Sequence, residues 1–232
     1  MIILECNSLS KNYGKIQALK NVDIKIKKGR IIGLLGANGS GKTTLIKLIN
    51  GLLTPTKGEV LINGIKPGIE SKKVISYLPE KTYLDLSLTV EETIKYFKDF
   101  YENFNIERAY DILKKLKIDS NRKLKTLSKG TKEKVQLMLV MSRDAELYVL
   151  DEPIGGVDPA ARDLILDTIL TNFNKNASII ISTHLIADIE KILDDVIFIS
   201  NGEIELFEEA DKLRNKRKKS IDAIFREDYY AR

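Results

Sequence analysis

Hydrophobic and polar positions alternate near the start of the chain with the two-residue period of β-strands. In "NVDIKIKKG", apolar Val22, Ile24 and Ile26 are separated by polar residues, which predicts a strand with one face in solvent. The next segment, "RIIGLLG", is continuously apolar and predicts a strand that is covered on both faces. The two patterns therefore predict one half-exposed strand and one buried strand.

A helix and a hairpin are predicted after these strands. Residues 42–50, "KTTLIKLIN", read as a helix, and Gly51 is placed to end it. In "EVLINGIK", Asn63 and Gly64 stand between apolar residues, which is a strong short-range signal for a β-hairpin. A later stretch, "DVIFISNGEIELF", predicts a second hairpin that turns at its own Asn-Gly pair.

The spacing of apolar residues changes to three and four in the middle of the chain. "TVEETIKYFKDFYENF" and "IERAYDILKKLKI" both follow this helical period, and Thr89 with Glu92 forms a predicted capping box. A helical insertion is therefore predicted. The expected parts of the single domain 1–232 are a core of about 1–80 and 143–213, a helical subdomain of about 81–142 and a basic C-terminal tail, 212–232.

Strand patterns return in the second half of the chain. "LYVLDEP" and "ASIIIST" are apolar runs that predict strands, and the helical "PAARDLILDTILTNF" lies between them. The alternation of strand, helix and strand indicates an α/β fold with a parallel sheet.

Composition and charge narrow the class of protein. The chain is 43% hydrophobic and 31% charged, which excludes disordered and collagen-like classes. No apolar run is long enough to span a bilayer, and no secretory signal is expected. Cys6, the only cysteine, fits a reducing cytosol. The net charge of +5 does not demand nucleic acid, and the basic run 212–219 is interpreted as a solvated face, with a phosphate or lipid surface as the alternative.

A glycine-rich stretch, "GANGSGKTT", matches the phosphate-binding P-loop pattern between a predicted strand and a predicted helix. Its glycines let backbone N–H groups point at phosphate oxygens, and the helix that follows presents its positive end to the same anion. Lys42 can reach the β- and γ-phosphates, and Thr43 offers a hydroxyl to Mg²⁺. The predicted nucleotide-binding residues here are Gly36, Asn38, Gly39, Ser40, Gly41, Lys42, Thr43 and Thr44.

Two acidic residues end the strand predicted in "LYVLDEP". Asp151 stands at the carboxyl end of that strand, where α/β sheets bind ligands, and is expected to hold Mg²⁺ with Thr43. Glu152 is adjacent and points elsewhere, so it is the expected general base for hydrolysis. A helix N-cap pair is the structural alternative for two acids at this position.

The order of motifs resembles the ATP-binding subunits of ABC transporters from Ile2 to about Leu213. Besides the P-loop and "LYVLDEP", the segment "LSKGT" is similar to the family signature, "IGGVD" resembles its D-loop, and "STH" resembles its switch-histidine segment. The resemblance implies a P-loop NTPase core with a mixed sheet. That sheet would have a RecA-like parallel part and an N-terminal antiparallel part, with a helical subdomain inserted.

The resemblance also implies roles for further residues. Tyr13 is similar to the aromatic residue that stacks on adenine. Ser128 and Gly130 resemble the signature groups that approach ATP bound to the other subunit, and Asp158 would cross the subunit interface. His184, the only histidine, takes the switch position beside the γ-phosphate and is expected to act with Glu152 and Lys42 in catalysis.

Two residues depart from the family pattern. Glu80 stands where the family usually has glutamine, and it is expected to sense the metal and couple to the membrane partner. Lys129 replaces a signature glycine and would add positive charge near the interface. Both departures resemble those of exporter subunits and favour export.

The predicted function is therefore an ATPase subunit at the cytoplasmic side of the membrane, with ATP and Mg²⁺ as ligands. Its expected partners are an integral membrane permease and a second, identical or different, ATPase subunit; no nucleic acid is expected. The alternatives are an importer subunit, a non-transport ABC ATPase acting on DNA or ribosomes, and a regulatory nucleotide binder without activity.

Overall fold

Two β-sheets form the frame of the protein. The computed structural model describes residues 1–229, of which Tyr229 is described by its backbone alone. The first sheet is antiparallel with the order β2-β1-β4, where β1 is Ile2–Tyr13, β2 is Ile16–Lys27 and β4 is Lys57–Ile62. This sheet is the antiparallel part that the resemblance implied.

The second sheet, whose strands precede the predicted site residues, has the order β5-β6-β7-β3-β8-β9. Its strands pair in parallel except β8 with β9, which are antiparallel. Their bounds are β3 Ile31–Leu35, β5 Ile75–Leu78, β6 Leu147–Asp151, β7 Ser178–Thr183, β8 Asp195–Ser200 and β9 Glu203–Glu209. The predicted α/β class with a mixed sheet is confirmed.

Both faces of the second sheet are covered, because successive residues of a strand point to opposite faces. On β6, Leu147 and Val149 pack into one hydrophobic cluster with α1, whereas Tyr148 and Leu150 pack into the other with α5. This double burial explains why the strand is continuously apolar in the sequence.

Helices cover the sheets and fill the middle of the chain. The predicted capping box forms, since Thr89 N donates to Glu92 Oε2 at 2.7 Å and Glu92 N donates to Thr89 Oγ1 at 3.1 Å. The helices are α1 Lys42–Ile49, α2 Ile69–Val74, α3 Val90–Phe100, α4 Ile106–Leu116, α5 Lys129–Met141, α6 Pro159–Asn172, α7 Ile186–Ile189, α8 Ala210–Arg217 and α9 Ile221–Tyr229. Short 3₁₀ helices are Leu124–Thr126 and Glu190–Ile192. Within residues 1–229, no helix combines the length and apolar character needed to cross a bilayer.

The two Asn-Gly signals have different outcomes. Asn201 and Gly202 turn the predicted hairpin between β8 and β9, both with positive φ. The hairpin predicted at Asn63 and Gly64 is wrong: the turn forms with positive φ, but only a single bridge follows it. The chain then passes through Pro67, which cannot donate to a ladder, into α2, and β4 pairs with β1 instead.

The described part of the C-terminal segment, 212–229, contains most of α8 and all of α9 and packs on the body of the protein. Leu213 of α8 and Ile221, Ile224 and Phe225 of α9 are buried in a hydrophobic cluster. The lysines of the basic run are exposed on the outside, as a solvated helix face would be. Residues 230–232 lie outside the described residues.

Two glycines with positive φ offer a matched test of backbone packing. Gly58 has φ 72° and a Cβ there would lie 2.3 Å from Ser8 O, whereas Gly64 has φ 78° and a Cβ would meet nothing within 4 Å. We expect Gly58→Ala to lower the free energy of unfolding by about 2–5 kcal/mol and Gly64→Ala by only about 1 kcal/mol. Urea unfolding of both variants measures the difference, and equal losses would contradict it.

Candidate nucleotide site

Four strands of the parallel sheet deliver the predicted site residues to one edge. β3 runs into the glycine-rich loop, β5 leads to Glu80, β6 ends at Asp151 and β7 leads to His184. The carboxyl ends of parallel strands meet at the same edge, which is where α/β sheets hold ligands. Residues far apart in the sequence are thereby collected around one cleft.

The glycines of the loop are required by close packing as well as by backbone conformation. A Cβ on Gly36 would lie 2.4 Å from Ile199 O, and one on Gly41 would lie 2.8 Å from Ala18 O. Gly41 has φ 113°, a conformation that residues with a Cβ rarely adopt, and it caps the start of α1. The turn between β8 and β9 contacts the loop and stabilises it, because Gly202 N donates to Ser40 O at 2.9 Å.

Lys42 is a buried cation at the start of α1. It is 7% exposed, and its Nζ donates to Gly36 O at 2.7 Å and to Ala37 O at 3.1 Å. Burial lowers the pKa of the Lys42 ammonium, and the carboxylates of Glu152 and Asp151 oppose that shift. The amino group is therefore held on the backbone of the loop, with acidic groups of the neighbouring strand ends around it.

Asp151 has one carboxylate oxygen without a protein partner. The side chain is 2% exposed; Ser182 Oγ donates to its Oδ1, and its Oδ2 has no hydrogen-bond partner within residues 1–229. Burial raises the pKa of Asp151, and the hydroxyls of Ser182 and Thr43 oppose the shift. A buried oxygen of this kind, with the Thr43 hydroxyl and Glu80 lining the same cavity, fits the hard oxygen ligands of Mg²⁺.

Glu152 and His184 are in direct contact. His184 Nδ1 lies 3.0 Å from Glu152 Oε1, and Thr183 Oγ1 donates to Glu152 Oε2 at 3.2 Å. The Glu152 backbone has φ 51°, and its N donates to Ser182 O at 3.0 Å, so the residue turns away from the direction of Asp151. The Glu152 side chain is 14% exposed and that of His184 is 45% exposed, so the pair faces the cleft.

A cavity of about 400 Å³ joins these groups, and a second of about 520 Å³ shares Glu80, Asp151, Glu152 and His184 with it. The first cavity is lined by the predicted residues Asn38, Gly39, Gly41, Lys42, Thr43, Thr44, Glu80, Asp151, Glu152 and His184, and by Ala18 of β2. Gly36 and Ser40 are buried in the loop beside it. The sequence prediction missed Ala18 and Ser182; Ser182 directly precedes "TH", a position that could have suggested a contact with β6.

Four other predicted residues, all within the described chain, lie outside the first cavity. Tyr13 is exposed at the end of β1, with Lys11 Nζ 5.4 Å from the centre of its ring. Ser128 caps the start of α5, its Oγ accepting from Thr131 N at 3.2 Å, and Asp158 caps α6 through Ala161 N at 3.2 Å. Gly130 has open space where a Cβ would be. These four residues therefore do not line the cavity that contains Lys42, although Lys129, next to Ser128, lines the second cavity with Glu152 and His184.

The loop between β3 and α1 and the buried acid at the end of β6 define the protein as a P-loop NTPase by fold. The chain belongs to the ABC transporter family: the family model described as "ABC transporter" matches residues 19–155. The chain is similar to the SkfA peptide export ATP-binding protein SkfE of Bacillus subtilis (strain 168), with 33% identity over 210 residues that cover 88% of each chain.

Solved structures agree with this assignment. One, of an ATP-binding subunit of an ABC transporter, has a TM-score of 0.87 and 29% identity, and covers 97% of this chain and 98% of its own. Another is the dimeric, post-hydrolysis ATP-binding cassette MJ0796 bound to ADP and Pi. It has a TM-score of 0.78 and 25% identity, and covers 90% of this chain and 99% of its own.

Proposed function

We propose that this protein hydrolyses ATP to drive export through a separate integral membrane permease, and that two such subunits enclose each ATP. The observation that carries the proposal is the contact between Glu152 and His184 beside the buried Lys42 and Asp151. A regulatory nucleotide binder would not need a base and a switch residue in contact at the phosphate end of the cavity.

Hydrolysis needs a group that accepts a proton from the attacking water. Glu152 is suited to this role because its carboxylate faces the cleft, and a positioned base accelerates a reaction by about 10²- to 10⁴-fold. His184 Nδ1 contacts both carboxylate oxygens of Glu152, and the Thr183 hydroxyl donates to Oε2, so the base is held in place before substrate arrives. Lys42 supplies positive charge for the phosphates.

Mg²⁺ would be held by Thr43 and by the Oδ2 of Asp151, and Glu80, which lines the same cavity, would sense it. The ion would neutralise charge on the β- and γ-phosphates during transfer. The chain's own contribution is the Ser182 hydroxyl, which donates to Asp151 Oδ1 and opposes the rise that burial causes in the Asp151 pKa.

A second subunit is needed to complete the site. Ser128, Gly130 and Asp158 stand at helix N-termini away from the first cavity, and Gly130 leaves open space for an approaching molecule. The MJ0796 cassette, which shares the fold, is dimeric with ADP and Pi. These observations support a head-to-tail pair in which Ser128 of one subunit covers the phosphates held by Lys42 of the other.

The membrane partner would dock beside Glu80, on the cytoplasmic side of the membrane. Tyr83, Tyr96 and Phe100 are exposed aromatic side chains on the segment that follows Glu80, and the rings of Tyr96 and Phe100 are stacked at 6.2 Å. Exposed apolar groups that cluster in this way are typical of protein contact sites. The name of the similar SkfE protein supports export as the direction.

The proposal is tested by ATP hydrolysis at increasing concentrations of the purified protein. We expect Mg²⁺-dependent release of phosphate whose rate per subunit rises with protein concentration, because the complete site forms only in the pair. Light scattering with ATP measures the mass of the particle in parallel. A full hydrolysis rate from a particle with the mass of one subunit would contradict the shared site.

A further inference from the structure

Arg143 carries a charge in the interior of the protein. It is 4% exposed, and its Nη1 donates to Ile75 O at 2.6 Å. Its Nη2 donates to Lys72 O at 3.0 Å and to Lys73 O at 3.1 Å, and its Nε donates to Asn103 Oδ1 at 3.1 Å. All of these acceptors are neutral. A buried guanidinium without a carboxylate partner is costly, so its contacts must be nearly complete for it to be stable.

Two further contacts fix the residue from other directions. The guanidinium carbon lies 3.8 Å from the centre of the Tyr101 ring, which is a cation–π distance. The Tyr148 hydroxyl donates to the Arg143 carbonyl oxygen at 2.6 Å, which connects the backbone of Arg143 to β6. Arginine cannot be deprotonated in proteins and is planar, which makes it suited to hold several carbonyls at fixed angles.

The elements that meet at Arg143 are the ones that carry predicted site residues at their opposite ends. β5 begins at Ile75 and leads to Glu80, whereas α5 begins directly after Ser128 and ends at Met141, just before Arg143. Arg143 therefore joins the start of β5 to the end of α5. Glu80 follows the other end of β5, and Ser128 precedes the other end of α5.

Because α5 is long, a small rotation of the helix at Arg143 displaces Ser128 by a large distance. The helix has 13 residues, which corresponds to about 20 Å, so a rotation of about 5° at its far end moves its start by about 2 Å. A misplacement of about 1 Å in a catalytic group can cost about 10²-fold in rate. The joint at Arg143 is thus able to control whether Ser128 reaches a bound nucleotide.

We propose that Arg143 is a positioning residue that fixes the angle between α5 and β5, so that Ser128 reaches the nucleotide held by the partner subunit while Glu80 faces the nucleotide held by its own subunit. The proposal rests on the proposed function, since both residues act there on ATP. Arg143 touches neither substrate nor metal; it acts through the two elements that it joins.

The test is Arg143→Lys, with steady-state hydrolysis and hydrogen exchange measured on the full chain. A lysine keeps the charge but cannot reach carbonyls on several sides at once. We expect kcat to fall by about tenfold or more while KM for ATP changes by less than about threefold, because Lys42 and its loop belong to other elements. Amide exchange should become faster in α5 and β5 and stay unchanged in β3 and α1.

The control is Arg108→Lys, which changes an arginine that bonds Asp144 and Met141 O but not β5, and it should keep the wild-type kcat. A folded Arg143→Lys variant with wild-type kcat would overturn the proposal. If Arg143→Lys makes amide exchange faster throughout the protein, the Tyr101→Leu variant is measured instead, because it removes only the ring that packs on the guanidinium. A lower kcat with unchanged KM for ATP would support the positioning role of Arg143. A wild-type kcat would overturn it. If the wild-type protein does not hydrolyse ATP, the proposed function fails, and the exchange pattern alone still decides whether Arg143 joins α5 to β5.

Discussion

Replacing Glu152 by Gln is expected to lower the rate of ATP hydrolysis by about 10²- to 10⁴-fold while ATP is still bound. The amide has nearly the shape of the carboxylate and can keep contacts with Thr183 and His184, but it cannot accept a proton from water. Because ATP is bound and not consumed, the closed pair of subunits should accumulate. Phosphate release measures the rate, and light scattering with ATP measures the pair.

The matched control is Glu205→Gln, which removes the same charge from an exposed position on β9. It should hydrolyse ATP at the wild-type rate and show no accumulation of the closed pair. If the Glu152 variant hydrolyses ATP as fast as the wild-type protein, Glu152 is not the base and the chemistry proposed for the contact with His184 is wrong.

Mixing two inactive variants is expected to restore hydrolysis. Lys42→Met removes the charge that holds the phosphates, and Ser128→Arg blocks the start of α5 that would cover them. Each variant alone should be inactive, because every site in its pair lacks one of the two parts. In a mixed pair, one site combines the intact Lys42 of one subunit with the intact Ser128 of the other. A two-fold symmetric pair mixed at random should therefore recover about a quarter of the wild-type rate.

The control for this experiment is a mixture of Lys42→Met with Glu152→Gln. Both changes affect the same half of a site, so no mixed pair contains an intact site and no activity should return. Failure of the first mixture to recover, with both variants folded and able to pair, would show that Lys42 and Ser128 do not serve the same ATP. Recovery in the control mixture would show that the assignment of residues to halves is wrong.

The sequence predicts well those features that depend on neighbouring residues. The strand before Gly36, the helix after Lys42 and the cap at Thr89 are each specified by a short segment, and each is present in the structure. The turn at Asn63 shows the limit of local signals. Its own signal is satisfied, but pairing with β1 and the position of Pro67 determine the path of the chain beyond the turn.

Contacts between distant segments could be predicted only where both residues carry a recognised role. Arg143 lies in a stretch with no motif, and its partners at Lys72, Ile75 and Asn103 come from elements that only the fold brings together. Ser182 stands in the "STH" segment but had no predicted role of its own, because its hydroxyl bonds to Asp151 across two parallel strands. The roles predicted for Tyr13, Ser128, Gly130 and Asp158 remain predictions, because they depend on molecules other than this chain.

The hydrogen bond from Gly202 to the phosphate loop shows that residues outside the family motifs help to hold this loop. The family match ends at residue 155, whereas Gly202 and Ile199, which lie against Ser40 and Gly36, come from the last hairpin. A fragment that stops after Asp158 would contain every short motif except the histidine. Its phosphate loop, however, would lack the contacts with Ile199 and Gly202. The ability to grip a triphosphate is therefore distributed over the chain and does not reside in the motif-bearing part alone.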